Sequence, residues 1–322
     1  MRFGIIGTNF ISDRFLSSLP FTESKATAVL SRREETGRAY AEKHGIGEVF
    51  TDRAAFFASD AFDAVYVASP NLCHEADSIE AAEAGKHVLC EKPAAPTLAS
   101  FLRMRAAADK AGVVLMEAMR PLFDSTWERL RDLIPSLGKI RAAHFDYCQY
   151  SSRYDRFKAG EVLRAFDPSY QNAAILDIGV YPIAVCARLF GKPLSVQSRS
   201  VILENGFEGG GSLLLGYGDF NAVVSYSKIT ESIAPSCLLG ENGSLSFDRV
   251  SEPHEALFSP RAGEKQTILR APTDAPDNMY EEILAFEKAV KGEGDALLSV
   301  TEISLSIIDE ALKQNGIDFD KT

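Results

Sequence analysis

The run Ala64-Val65-Tyr66-Val67-Ala68 shows no alternation between apolar and polar residues. That is how a strand covered on both faces reads. It is one of a series of short strand candidates in the first third of the chain: Arg2–Ile6, Thr27–Ser31, Glu48–Thr51, Ala64–Ala68, His87–Cys90 and Val113–Glu117. Between them the apolar spacing predicts helices near Phe10–Ser18, Glu34–His44, Arg53–Ala58, Leu72–Ala84 and Leu98–Ala111. Strand–helix repetition over short connections confines this region to a doubly wound parallel sheet.

After Arg120 the rhythm changes, and a domain boundary is expected there, giving domains of 1–120 and 121–322. Two domains also suit 322 residues at ~150 residues per domain. The second part opens with a predicted helix (Ser125–Leu133) and a strand (Ile140–Tyr147). Ser151–Asp167 has no periodicity and reads as a long surface loop. A helix over Val180–Phe190 precedes strand-like runs at Val196–Leu203, Ser212–Tyr217, Asn221–Lys228, Ser236–Leu239 and Ser244–Phe247. Asn278 with Glu281, and Ser299 with Glu302, read as helix starts, and Asn315-Gly316 reads as the last stop.

Charge and cysteine content exclude several functions. Lys plus Arg is 34 and Asp plus Glu is 45, a net charge of −11. A nucleic-acid or anionic-membrane surface needs a basic footprint instead. The five cysteines (Cys73, Cys90, Cys148, Cys186, Cys237) show no C-x-x-C spacing, and the histidines show no metal-ligand spacing. No run approaches ~18 uncharged apolar residues, so no membrane span is expected. These features together predict a cytoplasmic protein without a metal site.

Two turns carry the nucleotide chemistry. Gly7-Thr8-Asn9-Phe10-Ile11-Ser12 lies where the first strand meets the first helix. A dinucleotide fingerprint there reads G-x-G-x-x-G/A, and here the three positions are Gly7, Asn9 and Ser12. Asn tolerates a left-handed backbone and Ser is small, so the turn is compatible, although a plain strand-to-helix turn reads the same way. The second strand ends in Leu30-Ser31-Arg32-Arg33, with no carboxylate where a ribose-binding acid usually sits. A hydroxyl and a guanidinium suit a 2′-phosphate. Ser31 and Arg32 therefore predict NADP(H) in preference to NAD(H), the bland alternative being a solvated basic helix start.

Further matches converge on one family. Gly4–Ile11, Ala68-Ser69-Pro70-Asn71 with His74, Ala84-Gly85-Lys86-His87-Val88-Leu89-Cys90-Glu91-Lys92-Pro93, and Leu176-Asp177-Ile178-Gly179-Val180-Tyr181 together resemble the Gfo/Idh/MocA oxidoreductases. Met279-Tyr280-Glu281-Glu282 and Gln314-Asn315-Gly316-Ile317 extend the resemblance to nearly the whole chain. It implies a Rossmann dinucleotide-binding domain, then an α/β domain with a large, mostly antiparallel open sheet that binds substrate and mediates homodimers or higher oligomers. It also implies that Ser69, Pro70, Asn71 and His74 lie against the cofactor. Glu91-Lys92-Pro93 would lie near the nicotinamide, with Lys92 projecting into the active site. That position follows the fifth strand, at the carboxyl edge where ligands of doubly wound sheets bind. A lysine there can stabilise a developing alkoxide.

The family element Asp-x-Gly-x-His here carries Tyr181 in place of His. The change resembles the dihydrodiol dehydrogenase and NADP-dependent D-xylose dehydrogenase branch, where Tyr exchanges the proton. Pro182 suits only a helix's first turn, so a helix start near Gly179 or Val180 is expected, with Tyr181 at its positive end and Asp177 before it. Asp177 would orient substrate or Lys92; the alternative is a packed Tyr181 and a merely capping Asp177. Gln171-Asn172-Ala173-Ala174 replaces the glycines usual before the Asp. The reading is an NADP(H)-dependent dehydrogenase or reductase of a sugar, polyol or cyclic diol. Its rivals are a non-catalytic NADP(H)-sensing regulator on the same fold and NAD-assisted glycoside cleavage.

Overall fold

The computed structural model describes residues 1–270 and 278–319. It divides the chain into two compact units, Met1–Met119 with Asp277–Ser299, and Arg120–Pro276 with Val300–Thr322.

The first unit alternates β1 (Arg2–Ile6), α1 (Phe10–Ser18), β2 (Lys25–Leu30), α2 (Glu34–His44), β3 (Glu48–Phe50), α3 (Arg53–Phe57), β4 (Ala64–Val67), α4 (Asn71–Glu83), β5 (His87–Glu91), α5 (Leu98–Ala111) and β6 (Leu115–Ala118). The strands form one parallel six-stranded sheet in the order β3-β2-β1-β4-β5-β6. That order reverses direction at β1, and the crevice at such a switch point is where dinucleotides bind. Every residue of β4 is buried, as its apolar run requires. Tyr66 stacks on Phe15 of α1 at 3.8 Å, and Phe15 meets Phe3 of β1 edge-on at 5.2 Å.

The second unit begins with α6 (Ser125–Leu133), β7 (Ile140–Cys148) and the short α7 (Tyr154–Lys158). A π turn (Ile175–Gly179) then runs directly into α8 (Val180–Phe190). Next come β8 (Ser195–Ile202), β9 (Glu208–Gly216), β10 (Asn221–Ser227), β11 (Ser236–Gly240), β12 (Gly243–Phe247), β13 (Glu255–Pro260) and β14 (Gln266–Arg270). They form an eight-stranded sheet, β14-β13-β12-β11-β7-β10-β9-β8, antiparallel except for the β7–β10 pair. The mostly antiparallel sheet is as expected, and β13 and β14 extend it beyond the strands legible in the sequence.

A cut at residue 120 leaves 277–299 in the second domain, yet this segment packs with the first unit. Its helix α9 (Met279–Val290) sets Phe286 against Phe3, with ring centroids 5.9 Å apart, and Glu287 accepts a hydrogen bond from Ser24. Apolar burial against β1 thus outweighs chain continuity. The last helix, α10 (Leu298–Gln314), starts one residue before Ser299. Asp295 Oδ1 accepts from Leu297 N at 2.8 Å and makes the turn. At the other end Gln314 and Asn315 act as a substitute strand. Their carboxamide oxygens accept from Ser198 N (2.8 Å) and Ser200 N (2.9 Å) of the edge strand β8. Edge backbone groups that could pair with another chain are thereby engaged. No helix among the described residues is long and apolar enough to cross a membrane.

Candidate active site

The carboxyl ends of the parallel strands carry the first group of expected residues. Gly7 follows β1 with φ +103°, and a Cβ there would lie 2.3 Å from the Ala68 carbonyl oxygen, so only glycine fits. Asn9 does not take the left-handed conformation allowed for it. It is extended (φ −121°, ψ −179°) and caps α1, its Oδ1 accepting from Ile11 N at 3.0 Å and Ser12 N at 3.3 Å. Its Nδ2 donates to Ala68 O at 2.7 Å, which ties the turn to β4. Ser12 is buried and donates to Gly7 O at 2.8 Å, packing α1 onto β1. Thr8 and Phe10 are exposed, Phe10 at 67%.

At the end of β2 the two expected residues separate. Ser31 is buried, and its hydroxyl donates to Arg33 O at 3.0 Å and lies 3.1 Å from Thr36 Oγ1. It shapes the turn. Arg32 is exposed and enters no ion pair among the described residues, whereas Arg38 is engaged by Glu34. An exposed guanidinium therefore stands just beyond the carboxyl end of β2.

After β4, Ser69 donates to Asp77 Oδ2 at 2.5 Å, and Pro70 and Asn71 open α4. His74 faces inward, 1% exposed. Its Nδ1 lies 2.9 Å from Pro93 O and its Nε2 2.8 Å from Ser69 O. Burial pushes this imidazole down, favouring the neutral ring, which donates to one carbonyl at a time. His74 thus braces the two turns from within.

Glu91 is likewise 6% exposed and accepts from Tyr66 Oη at 2.5 Å and Lys92 N at 3.2 Å. Burial, and then the Glu91 charge, hold the Tyr66 phenol well above its ordinary range, so it stays the donor. Glu117 of β6 accepts from Ala94 N at 2.9 Å. The turn carrying Lys92, whose bond to Pro93 is cis, is therefore pinned by three elements. Lys92 itself is half-buried.

In the second unit the helix starts earlier than Pro182 suggests. Asp177 N already donates to Ala173 O at 3.1 Å, and the π turn lies immediately before α8. A π turn breaks the i→i−4 pattern just where Pro182 has no N–H to offer. Two corrections follow. Asp177 lies inside the helical segment, and Tyr181 stands beyond its first turn, where the dipole has largely faded. The cap is Glu208 of β9 instead: 1% exposed, it accepts from Ile175 N at 2.8 Å, and burial pushes its carboxyl up.

Asp177 and Tyr181, four residues apart, share one side of the segment. The Tyr181 ring meets Tyr147 of β7 edge-on at 5.5 Å. The Asp177 side chain is 46% exposed, and its Oδ2 lies 2.8 Å from Lys228 Nζ. Gln171 takes the left-handed conformation (φ 54°) that glycine would supply, and its Nε2 donates to Phe319 O at 3.3 Å. Asn172 Nδ2 donates to Arg164 O at 2.8 Å. These side chains thus hold neighbouring turns.

The expected 151–167 loop contains α7 and a turn at Arg164–Phe166. The buried Phe166 stacks with Tyr154 (5.6 Å) and Phe157 (5.2 Å) and meets Phe207 at 5.0 Å. No cluster of three or more metal-ligating side chains occurs among the described residues.

A switch-point sheet with a glycine turn, joined in one chain to a large mostly antiparallel sheet, defines a nucleotide-dependent oxidoreductase architecture. The chain belongs to the Gfo/Idh/MocA oxidoreductase family, whose NAD-binding Rossmann profile matches residues 1–119. It is 41% identical to a scyllo-inositol 2-dehydrogenase (NADP(+)) of Bacillus subtilis, over 98% of each chain. It is 26% identical to the trans-1,2-dihydrobenzene-1,2-diol dehydrogenase of Mus musculus, over 99% of this chain and 98% of the other. A 3-ketoreductase from Actinomadura kijaniata, solved with NADP and TDP-benzene, superposes with a TM-score of 0.82 at 26% identity, covering 97% of each chain.

Proposed function

We propose that the protein is an NADP(H)-dependent oxidoreductase of a sugar, polyol or cyclic diol, acting at a hydroxyl or carbonyl carbon. The observation that carries this is the full-length likeness to an NADP-dependent inositol dehydrogenase. The relatives named above are enzymes, so the regulatory reading has no comparable support, and none of them is a glycoside hydrolase.

The residues present fit the cofactor. The exposed Gly7–Ile11 turn would hold its pyrophosphate, Ser69, Pro70 and Asn71 its nicotinamide side, and Arg32 its 2′-phosphate. Bound NADP(H) supplies a hydride donor or acceptor at nicotinamide C4. The chain's own groups manage charge and protons: Tyr181 Oη exchanges the substrate hydroxyl proton, Lys92 Nζ stabilises oxyanion character, and the Asp177 carboxylate orients a substrate hydroxyl. Oxidation of scyllo-inositol with NADP+, followed by absorbance at the reduced nicotinamide band, is the direct test. Absence of turnover across inositols, aldoses and diols, with NADPH bound, would favour the sensor.

The exposed Arg32 guanidinium makes a second measurement decisive. Arg32→Ala should weaken NADPH binding about tenfold, as for losing a charge-assisted contact, and leave NADH binding unchanged. Fluorescence titration with each nucleotide checks this, and an unchanged NADPH preference would exclude Arg32 from the phosphate site.

Exposed Val201 and Ile202 of β8 and Leu214 of β9 support a homodimer or higher oligomer through the eight-stranded sheet. Light scattering should give a multiple of the 35.1 kDa chain mass; a monomer would refute the interface. All five cysteines are unpaired, which supports a place in the reducing cytoplasm, testable by cell fractionation.

A further inference from the structure

We propose that Lys228 is a positioning residue for the reaction: its buried ammonium fixes the Asp177 carboxylate and docks the 151–167 segment beside it. The inference rests on the reading of Asp177 as the residue that orients substrate.

Lys228 follows β10, and its backbone joins three parts of the second unit. Its N–H donates to Gly209 O and its carbonyl accepts from Ser151 N, both at 2.9 Å. The side chain is 7% exposed, and its ammonium has four neighbours. Asp177 Oδ2 lies at 2.8 Å and Ala165 O at 3.0 Å. The faces of Phe166 and Phe207 lie at 5.1 and 5.4 Å.

This is an expensive way to fill a hole between two phenylalanines. Removing an ammonium from water carries a large desolvation cost, and a well-packed apolar side chain often serves stability as well or better. The two aromatic faces and the carbonyl offset part of that cost by cation–π attraction and hydrogen bonding. The carboxylate supplies the remaining charge. What Lys228 provides that an apolar residue cannot is a fixed cation on one oxygen of Asp177. The carboxylate is then held in one rotamer while its 46% exposed surface stays available to a ligand.

The same ammonium joins this geometry to the neighbouring segment. Ala165 precedes Phe166, the aromatic anchor on which Tyr154 and Phe157 stack. The bond to Ala165 O and the cation–π contact to Phe166 therefore set where the segment lies relative to Asp177. Asn172, just before the π turn, supplies a second tie through Arg164 O. No spacing rule could signal the Lys228–Asp177 pair, because its members are far apart in sequence and come from a strand end and a π turn.

A mutant cycle on the full-length protein tests the proposal with NADP+ and scyllo-inositol, or another polyol that it turns over. Lys228→Gln keeps a donor for Ala165 O and removes the charge from Asp177; Lys228→Met removes both; Lys228→Arg keeps the cation. Lys228→Gln should lower kcat/KM for the polyol by about 10- to 100-fold, the low end of the range for uncoupling a close charge pair, with NADPH affinity unchanged. Lys228→Arg should recover most of the loss. Combined with Asp177→Asn, Lys228→Gln should cause no further loss, because both act through one carboxylate.

Multiplicative losses in the double variant, or wild-type kinetics for Lys228→Gln beside an impaired Asp177→Asn, would overturn the positioning role. Wild-type kinetics for Asp177→Asn would instead remove the reading of Asp177 on which it rests. Should Lys228→Met fail to fold, Lys228→Gln and Lys228→Arg still decide the matter. Thermal melting of each variant separates lost stability from lost kcat/KM.

Discussion

Lys92→Met should lower kcat by about 10²–10³-fold, the usual consequence of losing one donor to a developing oxyanion, while NADPH still binds. The substitution keeps the length and most of the apolar stem of the side chain and removes only the charge. Three contacts that do not use its side chain pin the turn beneath it: Glu91 accepts from Lys92 N, Glu117 accepts from Ala94 N, and His74 meets Pro93 O. A fall in kcat without a fall in melting temperature would therefore report chemistry. Steady-state rates at saturating NADP+ and polyol give the answer. An unchanged kcat would take Lys92 out of the reaction, and loss of NADPH binding would move it to the cofactor.

The parallel sheet was legible because burial on both faces leaves an uninterrupted apolar run, and β4 is buried at every position. Apolar spacing between short connections located the helices between the strands. The edges of the second sheet were less legible. In β13 (Glu-Ala-Leu-Phe-Ser-Pro) and β14 (Gln-Thr-Ile-Leu-Arg) few side chains are buried, so no clear period of two is imposed. Nor can a linear reading show that α9 returns to β1, since the instruction lies in Phe286 meeting Phe3 across almost the whole chain.

The site divides in the same way. Gly7, Asn9 and Ser12 could be placed in the turn because each acts within a few residues of itself. Their roles differed where a side chain had a choice of partner. Asn9 uses its carboxamide as a cap, and Ser31 turns its hydroxyl inward, while Arg32 and Arg33 beside it stay exposed. His74, Glu91, Glu117 and Glu208 brace backbone turns from other elements, a function that no local motif encodes. Glu208 takes the capping role that is only the alternative reading of Asp177, whose carboxylate meets Lys228 instead.

Tyr181→Phe should lower kcat by about 10²–10⁴-fold, the range for losing a positioned proton donor or acceptor. The early helix start sharpens the argument. With helical bonding already present at Asp177 N, the macrodipole offers Tyr181 little help, and proton exchange there would depend on the hydroxyl itself and its immediate neighbours. Phenylalanine keeps the ring that meets Tyr147 edge-on, so the packing of α8 on β7 should persist and the melting temperature should hardly move. A rate measurement alone would not separate proton exchange from substrate placement. Solvent isotope effects do: transfer through the Tyr181 hydroxyl predicts slower turnover by the native protein in D₂O and no such effect in the residual activity of Tyr181→Phe. If the variant keeps the native isotope effect at a lower kcat, another group moves the proton and Tyr181 only shapes the pocket. If it raises KM and leaves kcat intact, the hydroxyl binds substrate without taking part in the chemistry.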